Sequence, residues 1–305
     1  MDTIKIGGSA LSTSAIIAGC MRISNMTEQE ASRFVGTALE NGINLFDHAD
    51  IYGKGQSEVV FGKAVAASKV KRESYFIQSK CSIKKGLYDF SKAYILQSVD
   101  GILKRLGTDY LDLLLLHRPD TLMEPAEVAE AFDSLKSSGK VRHFGVSNQN
   151  SLQIELLRKA VKQPILANQL QFSIMHTGLI DSGINVNMKN KGAVDNDGHI
   201  LEYCRLNDIT IQAWSPLQFG FFEGTFLGNE KFPAVNLVLD RIAAERGVAN
   251  SAVAIAWILR HPAKMQTIVG TTNSKRLTEM AQAVKVALTR EEWYEIYLAA
   301  GNTLP

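Results

Sequence analysis

Eight times along this chain a short apolar run ends in polar residues and gives way to a stretch with helical spacing, and this alternation constrains the fold more than any other feature. The apolar runs lie at residues 15–20, 43–46, 75–79, 111–116, 141–146, 164–170, 209–214 and 266–269. The helical stretches lie at about 27–40, 57–68, 91–106, 124–138, 151–161, 199–206, 234–246 and 274–284. Their ends are marked. Thr27-Glu28-Gln29-Glu30 is a capping box, in which hydroxyl and carboxylate each satisfy a free backbone donor, and Asn41-Gly42 stops that helix. The run from Leu111 to Leu116 is apolar but for Asp112, which suits a parallel strand buried on both faces. Strands alternating with helices predict a parallel sheet with right-handed crossovers, and eight such units in 305 residues predict a closed (β/α)8 TIM barrel. No linker rich in Pro, Gly and Ser interrupts the cycles, so residues 1–305 read as one domain. Residues 3–13 alternate around Gly7-Gly8 and predict a short N-terminal hairpin, and residues 250–260 and 289–300 predict extra C-terminal helices. Residues 173–198, rich in Gly, Asn and Asp, predict a long surface loop.

Composition excludes several roles. A formal net charge of +2 gives no reason to expect nucleic acid or an acidic membrane as partner. Cys20, Cys81 and Cys204 are far apart and odd in number, which predicts reduced thiols in a cytoplasmic protein. Met1-Asp2-Thr3-Ile4-Lys5 is not a secretory signal, and the longest apolar run, 252–259, is too short to span a bilayer. No feature specifies an oligomeric state.

In such a barrel the chemistry sits at the C-terminal ends of the strands. Strand two is followed by Asp47 and Tyr52, strand three by Lys80, strand four by His117-Arg118 and strand five by Ser147-Asn148. Strand six carries Asn168, Gln169 and Gln171, strand seven Trp214-Ser215, and strand eight Gly270-Thr271-Thr272-Asn273. Each residue alone is ordinary after a strand. Together they aim titratable or amide groups at one end of the barrel, among them an Asp/Tyr/Lys/His set. Strand alternation points His48 away from Asp47, and Cys81 away from Lys80. His143, His176, His199 and His261 have no ligand partners at useful spacing, and no metal site is expected.

Over nearly its whole length the chain resembles the aldo-keto reductases. The resemblance is carried by Asp47-His48-Ala49-Asp50-Ile51-Tyr52-Gly53, Ser79-Lys80, Leu114-Leu115-Leu116-His117, the run from Gly139 to Asn148, and Asn168-Gln169. It implies a barrel that binds a nicotinamide dinucleotide without a Rossmann domain and interconverts a small-molecule carbonyl with its alcohol, using NADPH. No Gly-x-Gly-x-x-Gly follows strand one. The family's catalytic tetrad falls on Asp47, Tyr52, Lys80 and His117. Tyr52 would donate the proton, with its pKa lowered by Lys80; Asp47 would keep Lys80 charged; His117 would orient the carbonyl. The resemblance puts the nicotinamide carboxamide on Ser147, Asn148 and Gln169, with Trp214 stacked on the ring. Ser215 and Leu217 would lie by the pyrophosphate, and Gly270, Thr271, Thr272, Asn273, Ser274 and Arg276 by the adenosine phosphates. Gly19, Cys20, Met21 and Arg22, at the end of strand one, would also face the cofactor. Two positions depart from the family: Gly270 stands where some members have lysine, and Met280 where many have asparagine.

Substrate selectivity is expected from the loops at 21–25, 81–88 and 219–233 and the segment after Arg118, with Phe219, Phe221, Phe222 and Phe226 as pocket walls or packing residues. Two other readings stand beside the reductase. A metal-dependent barrel hydrolase would use His48, Asp50 and His117, but the His-x-His pair such enzymes carry early in the barrel is missing. A cofactor-binding regulatory subunit could use the same barrel.

Overall fold

In the computed structural model, which describes residues 1–305, the eight apolar runs pair edge to edge in chain order and close into a parallel barrel. The strands are β1 (Ile16–Gly19), β2 (Leu45–Asp47), β3 (Phe76–Cys81), β4 (Leu111–Leu116), β5 (Val141–Ser147), β6 (Ile165–Gln171), β7 (Thr210–Trp214) and β8 (Gln266–Val269). Closure is the pairing of β8 with β1, where Thr267 faces Ile16 and Val269 faces Ala18. Around the barrel run α1 (Glu28–Glu40), α2 (Gln56–Ser68), α3 (Lys92–Leu106), α4 (Pro125–Ser137) and α5 (Ser151–Arg158). They continue as α6 (Gly178–Ile184), α7 (Ile200–Leu206), α8 (Pro233–Arg246), α9 (Asn250–Leu259), α10 (Ser274–Ala281) and α11 (Arg290–Ala299).

Strand alternation divides the apolar residues into two cores. Outward side chains such as Ile16, Phe46, Ile77, Leu114 and Phe144 pack beneath the helices. Inward ones, Ile17, Leu45, Leu113, Leu115 and Ile268, fill the lower barrel. The expected hairpin, Thr3–Lys5 against Ser12–Ser14, closes the bottom by inserting Ile6 and Leu11 into that inner core. The capping box at Thr27 and Glu30 forms as read, and Thr289 and Glu292 form another at the start of α11. The extra apolar helix α9 is buried from Ser251 to Ile258 because α8, α10, the turn at 282–285 and strand β8 pack around it, with Trp293 of α11 on Trp257. Trp257 and Trp293 stack at 4.8 Å and 7°, and each indole N–H donates to the other's backbone carbonyl at 3.0 Å. No single helix is long and apolar enough to cross a membrane, and α8 and α9, which pass that test only as a pair, meet at 97°.

Three expectations are corrected. Residues 173–198 are not one loop, since they contain α6 and a single helical turn at Lys191–Ala193. Its Leu179 and Ile180 are buried in the outer core, and the Tyr297 hydroxyl donates to Asp181 at 2.8 Å, so contacts with the rest of the chain stabilise α6. The loop after β3 folds into a small hairpin, Ile83–Lys84 against Leu87–Tyr88. The eighth helix stops at Ala281, where a tighter turn, Gln282–Lys285, takes over.

Candidate active site

Backbone hydrogen bonds continue past the strand ends and set the residues there. Asp50 N–H donates to Lys80 O at 3.0 Å, His117 N–H to Cys81 O at 2.8 Å, and Asn148 N–H to Gln169 O at 3.0 Å. Tyr52 follows one turn later, its N–H donating to Ala49 O at 3.0 Å. The turn leaves through Gly53 at φ +57°, where a Cβ would lie 2.5 Å from Ser24 Cβ, so only glycine fits both the backbone and the space. Asn148 and Ser215, each just past a strand, hold φ of 56° and 53°, left-handed conformations that cost about 1–3 kcal/mol each and cluster at functional sites.

The centre of the site is a buried ion pair. Lys80, with no exposed surface, places Nζ 2.6 Å from both carboxylate oxygens of Asp47 and 2.8 Å from His48 O. Three acceptors thus surround the ammonium, and Lys80, 5.0 Å from the Tyr52 ring centroid, also favours the phenolate by charge and by hydrogen bonding. The Tyr52 and His117 rings meet edge to face at 6.1 Å. Asp47 Oδ1 also accepts from Gln78 Nε2 at 2.6 Å and Gln169 Nε2 at 3.0 Å. Beyond it Gln212 Nε2 donates to Gln266 Oε1 at 3.0 Å, and Gln266 Nε2 to Thr13 Oγ1 at 2.8 Å. This polar layer inside the barrel offsets the cost of burying the ion pair. Gln78, Gln212 and Gln266 were not among the residues singled out from the sequence. Their signal was there: Gln78 lies two residues before Lys80 and Gln212 two before Trp214, so alternation aims them inward too.

Charge and burial compete at each group. Burial pulls the Lys80 ammonium pKa down, but Asp47 and Tyr52 outweigh it and leave the pKa raised. Burial also raises Tyr52, against the pull of Lys80, so the expected lowering of the phenol pKa is corrected: Lys80 acts in that direction but loses to desolvation. The Tyr52 phenol is protonated at neutral pH. Burial, then the Lys80 and Arg118 cations, hold His117 well below the ordinary histidine range, so its imidazole is neutral.

A cavity of about 1120 Å³ opens over these groups at the C-terminal end of the barrel. Asp47, Tyr52 and His117 are on its wall, and Lys80 lies beneath it. Gly19, Met21, Arg22, Ser147, Asn148, Gln169, Trp214, Ser215 and Leu217 line it, as do Gly270, Thr271, Thr272, Asn273 and Arg276. Cys20 and Ser274 do not. Cys20 is fully buried in the outer core, its thiol directed to Ala18 O, because alternation from inward Gly19 turns it outward. Ser274 opens α10 but is off the wall. The four phenylalanines divide: Phe221 and Phe222 line the cavity, whereas Phe226 is core and Phe219 packs on Phe232 at 4.8 Å. Trp214 donates to Asn148 Oδ1 at 3.1 Å and lies nearly parallel to Phe222, centroids 6.1 Å apart. No three His, Cys, Asp or Glu side chains gather to hold a metal ion, and His48 instead packs on Phe61 at 4.6 Å, its pKa pulled to about 3 by burial and by Lys80.

The aldo/keto reductase family model matches residues 15–299. The chain belongs to the aldo/keto reductase family. As such it is a nicotinamide-dependent oxidoreductase that reduces an aldehyde or ketone to an alcohol by hydride transfer. It is similar to 6-dehydroglucose reductase of Agrobacterium fabrum, 34% identical over 304 residues and 95% of each chain. It is also similar to oxidoreductase YdhF of Escherichia coli, at 33% identity over 90% of this chain and 89% of that one. Among solved structures, the thermostable aldo-keto reductase Tm1743 superposes with a TM-score of 0.80 at 26% identity, covering 98% of this chain and 100% of that one.

One departure of this reductase from the family has a local explanation. The space beside Gly270 is filled by Arg22, from the loop after β1: a Cβ on Gly270 would lie 2.6 Å from Arg22 Nη1, which donates to Gly270 O at 3.1 Å. Losing the side chain at 270 thus admits a cation from elsewhere.

Asp50, between Asp47 and Tyr52 in sequence, faces outward from the cavity. Its Oδ2 accepts from the Tyr94 and Ser98 hydroxyls at 3.3 and 3.2 Å, and its Oδ1 is buried without a partner. Burial pushes its pKa from 3.8 up to about 6. A carboxyl that keeps its proton more tightly when folded makes stability fall as pH rises through this window. At about 1.4 kcal/mol per unit, and allowing for partial exposure, the loss between pH 4 and 6 is about 2 kcal/mol. Asp50→Asn should remove that slope and raise stability at pH 7 by about 1–2 kcal/mol, the gain vanishing at pH 4 and below. Urea unfolding of both proteins from pH 4 to 7.5 checks this, and parallel stability profiles would refute it.

Proposed function

We propose that the protein reduces a small aldehyde or ketone with NADPH, Tyr52 donating the proton. The observation that carries this reading is the Lys80 ammonium, buried against Asp47 and 5.0 Å from the ring of a protonated Tyr52 on a cavity wall. When bound, reduced nicotinamide supplies the hydride. Ser147 and Asn148, whose side chains are 2.7 Å apart, offer a hydroxyl and an amide for the carboxamide, and Trp214 an aromatic face. As negative charge builds on the carbonyl oxygen, Tyr52 gives it the phenol proton and the buried Lys80 charge steadies the phenolate that remains. His117, neutral, holds the carbonyl by a hydrogen bond without competing as an acid. The three buried unpaired cysteines support a reducing, cytoplasmic setting.

The preference for NADPH over NADH rests on the far end of the cavity. The two cofactors differ by a ribose phosphate, so discrimination needs cations there. Asn273 caps α10 by accepting from Arg276 N–H at 3.0 Å, and the Arg276 guanidinium has no acidic partner. Arg22 lies at the same strand end beside Gly270. A helix start with a free arginine suits a phosphate. A panel of carbonyls assayed with both reduced cofactors tests the reading, and no carbonyl-dependent oxidation of either would overturn it. Arg276→Ala should raise KM for NADPH by about tenfold, equivalent to about 1.4 kcal/mol, and barely change KM for NADH. Equal losses would show that Arg276 does not read the extra phosphate.

A further inference from the structure

One cation in the cavity belongs neither to the tetrad nor to the adenosine end. Arg118 directly follows His117, at the end of β4, four strands round the barrel from β8 and Arg276. Its backbone is fixed by an exchange with Ser82: Arg118 N–H donates to Ser82 Oγ at 3.1 Å, and Ser82 Oγ donates to Arg118 O at 3.4 Å. The side chain reaches across the opening, its guanidinium carbon 5.7 Å from the Trp214 ring and 6.0 Å from Phe221. It therefore lies within cation–π range of two aromatic rings, yet the guanidinium enters none of the protein's ion pairs or side-chain hydrogen bonds. The acid next in sequence is taken: Asp120 accepts from the backbone N–H groups of Phe90 at 2.9 Å and Leu122 at 2.8 Å. Asp47, the acid on the wall nearest the chemistry, is paired with Lys80. A guanidinium beside aromatic rings, with no partner of its own, still has five N–H donors in a fork that matches a carboxylate. Ile51, Ile83 and Tyr88 supply an apolar wall near the tetrad.

Resting on the reductase reading, we propose that Arg118 sets substrate choice: the enzyme takes aldehydes or ketones that carry a carboxylate, joined to the carbonyl by an apolar spacer. The carbonyl sits at Tyr52 and His117, the spacer against the aromatic rim, and the carboxylate on the edge of Arg118.

The test compares an acid with its neutral isostere. 4-Carboxybenzaldehyde and methyl 4-formylbenzoate share ring and aldehyde and differ in charge. Wild type should favour the acid in kcat/KM, and Arg118→Met should cut the acid-to-ester ratio by about 10- to 100-fold, mainly through KM for the acid, the range of a charge-assisted hydrogen-bonded pair. Arg118→Lys, which keeps the charge but not the fork, should fall between them. Calorimetric binding of 4-(hydroxymethyl)benzoate and its methyl ester gives the same comparison without turnover. There the acid should weaken by about the same factor in Arg118→Met, and the ester by less than twofold. Equal weakening of acid and ester, or a selectivity ratio moved less than twofold, would overturn the inference. So would a matching loss of NADPH affinity in Arg118→Met, which would make Arg118 a cofactor contact. Failure of the reductase reading looks different: no carbonyl, charged or neutral, would oxidise NADPH, and acid-against-ester binding would still decide the role of Arg118.

Discussion

Tyr52→Phe should lower kcat by about 10²- to 10⁴-fold while NADPH still binds, because the change removes the acid and keeps the ring. The ring itself has structural contacts, edge-on to His117 at 6.1 Å and 5.0 Å from Lys80 Nζ, and phenylalanine keeps both. The loss should therefore fall on turnover rather than on folding. Nothing else on the wall takes over well. The His117 imidazole is held neutral by burial and two neighbouring cations, and Lys80 lies beneath the wall with its protons on Asp47 and His48 O. Steady-state turnover with fluorescence titration of NADPH separates the two effects. A Tyr52→Phe enzyme with near-normal kcat would assign the proton to another group, and one that no longer bound NADPH would make Tyr52 a cofactor contact.

Lys80→Met should also abolish most turnover, but its second signature is in stability. Asp47 would be left as a buried carboxylate without its cation, and breaking such a pair typically costs about 3–5 kcal/mol. Gln78 and Gln169 would still donate to Asp47 Oδ1, which places the expected loss near the lower value, about 3 kcal/mol. Removing the stranded charge as well should restore part of it, so Lys80→Met with Asp47→Asn should be more stable than Lys80→Met alone, though no more active. Urea unfolding of wild type, both single variants and the pair closes the double-mutant cycle. Strict additivity of the two losses would mean that the ion pair contributes nothing of its own to the fold.

The amino-acid sequence by itself determined the architecture and most of the polar residues that line the cavity. Periods of two and 3.6 residues are local, so eight apolar runs and eight helical stretches can be read from neighbours in the chain, and closure follows from their number. Alternation is local too. It set Lys80 inward and Cys81 outward, and the same rule applied to Gly19 would have set Cys20 outward. What only the tertiary structure decided depends on residues far apart in sequence or on a balance of opposing effects. Asp47 meets Gln169 across 122 positions, and Arg22 meets Gly270 across 248, by way of barrel closure that no local pattern encodes. Helix α6 forms in a stretch of weak local preference, where Leu179 and Ile180 bury in the outer core and the Tyr297 hydroxyl, 116 positions away, donates to Asp181. Phe226 and Phe221 carry the same side chain a few residues apart, and only packing makes one core and the other rim. The direction of the Tyr52 shift is of the same kind: the Lys80 charge could be anticipated from the motif, but the desolvation that outweighs it exists only once the barrel has closed around the phenol.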